Sequence, residues 1–282
     1  METKISSVNR EIIIGHNRPT VLIGERINPT GKKKLAAALL SGDLELVRQE
    51  ALAQAKAGAD VLDVNVGSSG VNEVSLLPQA MQMVMNTIDI PLCLDSANPK
   101  ALEAGLQSYH GKPIVNSVNG TERSLKEILP LVKEYRTAVI GLTIDDEGIP
   151  NSLERRVVIA HKIVERAEAL GIPRQDVIID CLAMTLGADN RAGLVVIEAI
   201  RRINLELGVN QTLGASNISF GIPDRSLLTS CFLAIAIAAG VDCPIVDVDK
   251  VRPSILATDA VLGRDKYMKR YITDYRQRQN RP

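Results

Sequence analysis

The sequence of 282 residues contains no tryptophan, and aromatic residues make up only 2% of it. Proteins that bind single-stranded nucleic acids stack bases on aromatic side chains, so this composition disfavours that class. Lys and Arg together number 33, as do Asp and Glu, and the formal net charge is zero. A chain without excess positive charge has no bulk attraction to nucleic acid or to an anionic membrane. The composition therefore favours a small ligand or a protein partner.

Long apolar runs and closely spaced cysteines are also missing. No run approaches the ~18 apolar residues of a membrane-spanning helix, and residues 1–7 lack the apolar segment of a signal peptide. The four cysteines are far apart, form no C-x-x-C motif and lie in apolar runs, at positions 93, 181, 231 and 243. We expect them to be buried small hydrophobic residues in a reducing compartment. The sequence thus predicts a cytoplasmic protein without a membrane partner.

Hydrophobic residues are plentiful, at 45%, and they are arranged in a repeating pattern. Eight short apolar runs predict β-strands, at residues 20–25, 60–66, 91–95, 112–117, 137–144, 176–182, 211–216 and 243–248. Segments with helical spacing lie between and after them, at residues 43–58, 73–87, 99–108, 123–134, 152–170, 189–207, 224–239 and 251–262. This alternation predicts the α/β class with a parallel sheet.

A closed barrel and an open doubly wound sheet both fit that alternation. The open sheet usually has a Gly-rich turn after its first strand, but here the turn reads Gly24-Glu-Arg-Ile-Asn-Pro-Thr-Gly31, which is not G-x-G-x-x-G. We therefore expect a single (β/α)8 TIM barrel over about residues 20–262, within one domain that covers residues 1–282. The charged segment 264–278 predicts a C-terminal helix.

Most of the predicted strands end in a polar side chain that a core would reject. The carboxyl ends of barrel strands form the ligand-binding face, so these side chains should meet at one mouth. Carboxylates only accept hydrogen bonds, whereas carboxamides donate and accept, so the set suits a ligand edge rich in N–H groups, such as an aminopyrimidinone. The set comprises Glu25, Asp63, Asn65, Asp95, Asn116, Asn119, Asp145, Asp180, Asn217, Asp247 and Asp249.

Other interpretations of these residues remain open. Carboxylates and amides also suit Mg2+ or Ca2+, but no histidine joins the set and no compact carboxylate cluster is present, so we expect no bound metal. Several residues could be turn formers or helix caps, and Asp247 could pair with Lys250 or Arg252. The strongest candidates follow apolar strand residues directly: Asp95, Asp180 and Asn217. His16, His110 and His161 lie away from the strand ends, and we expect surface or structural roles for them.

Five segments, taken together and in this order, resemble the pterin-binding methyltransferases. They are Gly24-Glu-Arg-Ile-Asn-Pro-Thr-Gly31, Leu62-Asp-Val-Asn-Val-Gly67, Leu94-Asp-Ser-Ala-Asn-Pro99, Asn116-Ser-Val-Asn-Gly120 and Gly214-Ala-Ser-Asn-Ile-Ser-Phe-Gly221. The sequence is most similar to the methyltetrahydrofolate:corrinoid protein methyltransferases, which also resemble the folate-binding domain of cobalamin-dependent methionine synthase. The resemblance covers about residues 20–265.

The resemblance implies a TIM barrel, usually a homodimer, that holds a pterin at its carboxyl-end mouth. The implied substrates are tetrahydrofolate or 5-methyltetrahydrofolate and a corrinoid, cobalamin or a relative, carried by a partner protein. It implies that Asn217 is the catalytic residue that reaches the pterin atom N5. The implied pterin-binding set is Asp95, Asn116, Asp180, Gly214, Ser216, Asn217, Ile245 and Arg225, with Glu25, Asn28, Asp63 and Asn65 as a second set.

The sequence departs from the family pattern at two positions, and it leaves other functions open. Cys181 stands where many relatives have proline, and Phe220 stands where the acetogenic type has a polar residue. Dihydropteroate synthase shares the barrel and the pterin site, but its seventh strand ends in Ser-Arg-Lys, whereas this one delivers Ala215-Ser-Asn217. A non-catalytic pterin-binding subunit is a further alternative. An unrelated barrel lyase is disfavoured because no predicted strand ends in the lysine that a Schiff base requires.

Overall fold

The computed structural model describes residues 1–279. Two short strands form an antiparallel hairpin at the start of the chain, β1 (Glu2–Ser6) and β2 (Glu11–Gly15). Eight parallel strands follow, each beside the next in chain order: β3 (Ile23–Ile27), β4 (Val61–Asn65), β5 (Leu92–Asp95), β6 (Ile114–Asn119), β7 (Ala138–Leu142), β8 (Val177–Asp180), β9 (Gln211–Thr212) and β10 (Ile245–Val246).

The ring of parallel strands closes between its first and last members. β10 pairs with β3, and a parallel bridge joins Gly214, just after β9, to Ile245 in β10. The Ile245 amide donates to the Leu213 carbonyl at 2.9 Å across this closure. The predicted α/β class and (β/α)8 barrel are therefore confirmed, and the open doubly wound sheet is excluded.

Helices cover the outside of the barrel: α1 (Lys33–Ser41), α2 (Glu45–Ala57), α3 (Glu73–Thr87), α4 (Pro99–Ser108), α5 (Glu122–Tyr135), α6 (Leu153–Ala169), α7 (Ala192–Leu207), α8 (Arg225–Ala239), α9 (Val248–Val261) and α10 (Lys269–Gln279). Local sequence explains where several begin. The Asn98 side chain accepts from the Lys100 amide ahead of α4, and Pro99 occupies the first helical position. Asp224 caps α8, as predicted, by accepting from the Leu227 amide at 3.4 Å.

The structure corrects some of the predicted elements. The turn-rich segment before residue 43 contains the helix α1, and the helix expected from residue 264 begins at Lys269, after a short 3-10 turn. The seventh strand ends at Thr212 rather than at Ser216, because the chain turns into a 3-10 helix, Ala215–Ser219. Ser216 and Asn217 thus follow the strand instead of ending it.

Apolar side chains fill the inside of the barrel, and the hairpin β1–β2 covers its amino end. Ile5 and Ile14 of the hairpin are fully buried against the inward-facing residues Val21, Ile23, Val61, Cys93, Ile114, Ala138, Ile140, Ile178 and Cys243. A larger cluster lies between the strands and the helices. This hairpin was not predicted from the sequence, although its alternating exposed and buried residues have the period of a strand.

Three of the four cysteines are buried, as predicted, but Cys231 lies exposed on α8, so that expectation was wrong for it. Within residues 1–279, every helix is too short or too polar to traverse a lipid bilayer.

Candidate functional site

A row of amide and carboxylate side chains lies at the carboxyl ends of β4, β5 and β6. Asn65 stands beside Asp95 in the strand register, and Asp95 stands beside Asn116. The Asn65 Nδ2 donates to Asp95 Oδ2 at 2.8 Å. All three side chains are half-buried, so they are partly screened from water yet still accessible to a ligand. The barrel register thus brings together three residues that are 21 to 51 positions apart in sequence.

Asp63 lies beneath this row and is only 3% exposed. Its Oδ1 accepts from the Asn116 Nδ2 at 3.1 Å. Burial raises the pKa of Asp63 well above its ordinary value, and the charge of Asp95 raises it further. Burial also raises the pKa of Asp95, but its hydrogen bonds with Asn65 and Asp63 lower it. Burial and the proximity of the two carboxyl groups thus disfavour ionisation of both at once.

Asp180 is the last residue of β8 and is only 5% exposed. Its Oδ1 accepts from the Leu182 amide at 2.6 Å. Burial raises the pKa of Asp180 to about 7, against the opposing effects of the Leu182 amide, the Arg156 charge and the Gly214 amide. The carboxyl group is therefore poised between its neutral and ionised forms near neutral pH.

Arg156 holds the turn that follows Asp180, and this residue was not predicted from the sequence. This side chain is 2% exposed and donates to the carbonyls of Pro150 at 2.9 Å, Leu182 at 2.8 Å and Cys181. Leu182 adopts a φ of +59°, a conformation that a leucine rarely adopts without support from its surroundings. A signal was present, because Arg156 shares the buried face of α6 with Ile159, Ala160 and Ile163 at helical spacing.

Asn217 lies on the exposed side of the 3-10 helix that follows β9. Its Nδ2 is 3.1 Å from the position that a Cβ atom on Gly214 would occupy. The amide of Gly214 in turn donates to Asp180. The carboxamide of Asn217 and the carboxyl of Asp180 therefore both lie next to the same glycine, which supplies no side chain of its own.

The neighbours of Asn217 connect this segment to β3, α8 and β10. Ser216 donates to Glu25 Oε1 at 2.8 Å, and burial raises the pKa of Glu25. The Arg225 guanidinium donates to the Ser216 carbonyl at 2.9 Å and lies 5.7 Å from the centroid of the Phe220 ring. Ile245 is the residue that pairs with Gly214 at the barrel closure. Contacts with the short segment from Gly214 to Ser219 thus bring together Glu25, Arg225 and Ile245 around Ser216.

Other strand-end residues have structural partners instead. Asn28 accepts from the Thr30 amide at 2.9 Å and Asn119 accepts from the Thr121 amide at 3.0 Å, so both shape turns. Asp145 accepts from Arg155 at 2.7 Å. Asp247 pairs with Lys250 at 3.0 Å, one of the two partners expected for it.

The histidines lie away from the carboxyl-end mouth, as predicted. His16 pairs with Asp242 at 3.0 Å near the amino end of the barrel, and His161 pairs with Glu206 at 2.8 Å on the surface. His110 is exposed. The part of the chain that the structure describes contains no group of three or more His, Cys, Asp or Glu side chains arranged to hold a metal ion.

The mouth combines buried acceptors with an exposed neutral donor. Asp95 and Asp180 offer carboxylate oxygens, and Asn116 adds a carboxamide. Among residues 1–279, no Lys, Arg or His side chain forms an ion pair with Asp63, Asp95 or Asp180. Such a site can bind a heterocycle that donates several N–H bonds, while Asn217 contacts another atom of the same ligand.

Comparison with known proteins adds family information to this geometry. The sequence pattern of the family described as pterin binding enzyme matches residues 24–247. The chain is 33% identical to the methylcorrinoid:tetrahydrofolate methyltransferase of Eubacterium limosum over 267 residues, which is 91% of this chain and 96% of that protein. It is 32% identical to the methionine synthase of Mycobacterium leprae over 265 residues, which is 89% of this chain but only 22% of the synthase.

Solved structures with the same fold include two dihydropteroate synthases. The enzyme of Xanthomonas albilineans, in complex with indole-2-carboxylic acid and 6-chloroguanine, superposes with a TM-score of 0.69 at 19% identity over 93% of this chain and 99% of that chain. The enzyme of Yersinia pestis with a pterine-sulfa conjugate gives a TM-score of 0.71 at 14% identity, with the same coverage of both chains. At these identities the likeness concerns the fold alone.

Proposed function

The chain belongs to the pterin-binding enzymes, and we propose that it is a methyltransferase that moves a methyl group between N5 of tetrahydrofolate and the cobalt of a corrinoid on a separate protein. The observation that carries this proposal is the placement of the Asn217 carboxamide beside Gly214, whose amide binds the buried Asp180. The relative from Eubacterium limosum, whose name states this chemistry, matches the chain over 96% of its own length. The chain spans about a fifth of the methionine synthase that it resembles.

In this proposal, Asp95, Asn116 and Asp180 bind the pterin ring. The aminopyrimidinone edge of a pterin carries several N–H donors, which match carboxylate oxygens of buried acids. Asn65 and Asp63 act through their neighbours, since Asn65 donates to Asp95 at 2.8 Å and Asp63 accepts from Asn116 at 3.1 Å. Gly214, Ser216 and Ile245 line the ring, and Arg225 and Glu25 hold Ser216 in place. Asn28 shapes the loop after β3 rather than contacting the ring.

The chemical difficulty lies in the bond between the methyl carbon and N5. When that bond breaks, N5 keeps the electron pair, and without a proton or a hydrogen bond it would be too basic to leave. Asn217 can donate such a hydrogen bond from a neutral carboxamide. Because negative charge develops on N5 only as the bond breaks, the hydrogen bond stabilises the transition state more than the ground state.

The corrinoid is the second substrate, and it has to approach from outside the barrel. The chain contains no D-x-H-x-x-G motif typical of a cobalamin-binding domain, so the proposal assigns the corrinoid to a partner protein that docks at the mouth. We also propose that residues 1–282 form a single barrel domain and that the protein is a homodimer. The cysteine usage supports a cytoplasmic location, where thiols stay reduced.

A direct test follows methyl transfer from 5-methyltetrahydrofolate to free cob(I)alamin in a stopped-flow spectrophotometer. The expected result is a loss of the cob(I)alamin spectrum that depends on enzyme and on methyltetrahydrofolate, with one tetrahydrofolate formed for each methyl group transferred. A matched sample with Asn217→Ala should bind the pterin but react far more slowly.

Other outcomes of that experiment distinguish the alternatives. Tight binding of methyltetrahydrofolate without transfer, to cob(I)alamin or to corrinoid proteins, would indicate a non-catalytic pterin-binding subunit. Formation of dihydropteroate from dihydropterin pyrophosphate and p-aminobenzoate would indicate a synthase. Either result would overturn the proposal.

A further inference from the structure

A groove with a basic wall lies on the outer side of β3, next to the mouth of the barrel. It has a volume of about 660 Å3 and is lined on one side by Arg26, Lys32, Lys33 and Lys34, and on the other by α2. The α2 wall contributes Leu46 and Ala53, so the groove offers apolar surface as well as positive charge. This combination suits a ligand that carries both a flat apolar group and carboxylates.

In the described part of the chain, the lysines of this basic wall are not held in ion pairs, although the charges of Glu50, Glu25 and Asp247 act on Lys32 at longer range. Within residues 1–279, Lys32, Lys33 and Lys34 form no ion pair, whereas the neighbouring Arg26 pairs with Glu50 at 3.2 Å and with Asp247 at 3.7 Å. Lys32 is half-buried, and its Nζ donates to the Arg26 carbonyl at 2.5 Å. Glu50, the acidic residue in the groove, is thus already neutralised, and the net charge left for a ligand is positive.

The first turn of α1 adds to the positive field of the basic wall. This helix begins at Lys33, and no side chain caps its first turn. Uncapped amides at a helix amino end interact favourably with anions. Lysine is an unusual residue at such a position, because the positive end of the helix dipole repels a cation. Three consecutive lysines there therefore suggest a requirement other than helix stability.

The groove lies close to Glu25 at the mouth, since the charge of Glu25 acts on Lys32. In tetrahydrofolate the aminobenzoyl-glutamate tail is attached to the ring carbon next to N5, so the tail leaves from the edge that Asn217 faces in the proposed function. Ser216, the neighbour of Asn217, is hydrogen-bonded to Glu25, and the chain passes from Glu25 through Arg26 into the basic wall. A tail that leaves the ring from the carbon next to N5 can thus reach β3 and the groove beside it.

We propose that the groove of Arg26, Lys32, Lys33 and Lys34 binds the aminobenzoyl and γ-linked glutamate chain of the folate substrate, and that it favours folates with several glutamates. This inference rests on the proposed function. Each added glutamate contributes one more carboxylate, which can reach a further ammonium group along the wall. Leu46 and Ala53 contact the aminobenzoyl ring.

The test compares binding of tetrahydrofolate with one and with three glutamates by isothermal titration calorimetry. In the parent protein we expect the triglutamate to bind about tenfold more tightly, since its two additional carboxylates form two partly exposed ion pairs that each contribute a modest free energy. The advantage should shrink as the salt concentration rises, because the contacts are between charged groups near the surface.

The decisive variant is Lys33→Glu combined with Lys34→Glu, because both side chains are exposed and the change should not affect folding. It should weaken binding of the triglutamate more than binding of the monoglutamate, and so lose the advantage of the triglutamate. Lys100→Glu combined with Lys126→Glu is the matched control, because it makes the same change in net charge at exposed positions on α4 and α5. The control should keep the tenfold ratio.

The possible results separate this inference from the function on which it rests. If the parent binds both folates equally well, or if the Lys33 and Lys34 variant keeps the parent's ratio, the tail site is wrong while the methyltransferase proposal stands. If the parent binds neither folate, the proposed function itself fails.

Discussion

The buried acidic side chains at the two ends of this barrel have different kinds of partner. At the amino end, buried acids have cationic partners: Asp242 pairs with His16, Asp259 with Arg270 at 3.3 Å and Asp176 with Lys112 at 2.6 Å. At the carboxyl end, Asp63 and Asp95 face each other, and Asp180 accepts from backbone amides. An end built for stability neutralises its charges, whereas an end built to bind leaves acceptors whose partner is the ligand.

The apolar residues of the two ends differ in the same way. The hairpin β1–β2 seals the amino end with fully buried isoleucines, but the segment after β9 leaves Asn217 exposed and Phe220 67% exposed. Changes at the amino end should therefore alter stability and leave kinetics intact, while changes at the mouth should do the reverse. Four experiments test this contrast.

The largest expected effect is on stability, from Ile14→Ala in the hairpin. Ile14 is fully buried, and truncation of such a side chain leaves a cavity that costs about 2–5 kcal/mol. Denaturant unfolding should show this loss, while kcat/KM measured well below the midpoint should match that of the parent. A changed kcat/KM in folded protein would show that the two ends are coupled.

Asn217→Ala should have the largest effect at the mouth. Loss of one hydrogen-bond donor to a developing charge typically slows a reaction by about 10²-fold or more, and Asn217 is exposed, so unfolding should be unaffected. Single-turnover transfer to cob(I)alamin measures the rate, and calorimetry measures pterin binding. Transfer at the parent rate would contradict the role of Asn217.

The pH dependence of pterin affinity should reveal the role of the Asp180 carboxylate in binding. Burial raises the pKa of Asp180 to about 7, so below that pH its proton has to be removed before the carboxylate can accept N–H bonds. Affinity should therefore fall as the pH is lowered through 7 and be about tenfold weaker at pH 6 than at pH 8. In Asp180→Asn the slope should be smaller, and equal affinities of the parent at both pH values would exclude this role.

The smallest effect is expected from His16→Ala at the amino end. The hydrogen bond with Asp242 raises the pKa of His16, so the charged form stabilises the fold. This contribution is fully present below pH 6.5 and is lost as the pH rises through the raised value. The variant should lose ~1 kcal/mol near pH 6 and less near pH 9, by denaturant unfolding. His110→Ala, at an exposed site, serves as the control. A pH-independent difference would mean that packing, and not charge, is involved.

The alternation of apolar strands and helical segments was sufficient to predict the barrel. It also placed Asp95 and Asp180 correctly at strand ends, because local periodicity reports which side of an element is buried, whereas Asp63 and Asn116 lie within β4 and β6. Every predicted strand has a counterpart in the structure. The helix α1 was missed because its lysine-rich start resembles a loop. The end of strand seven was misplaced because residues 211–216 were interpreted as one strand, whereas the chain turns into a 3-10 helix at Ala215.

The sequence by itself determined the fold class and the chemical types of the residues that reach the mouth. Only the tertiary structure decided which of them meet: Asp63 with Asp95, Asn217 with Gly214, and Arg156 with the turn after Asp180. Propensity and periodicity depend on residues only a few positions apart, so both can be identified directly from the sequence. Contacts between residues far apart in sequence depend on the register and closure of eight strands, which exist only once the barrel has formed.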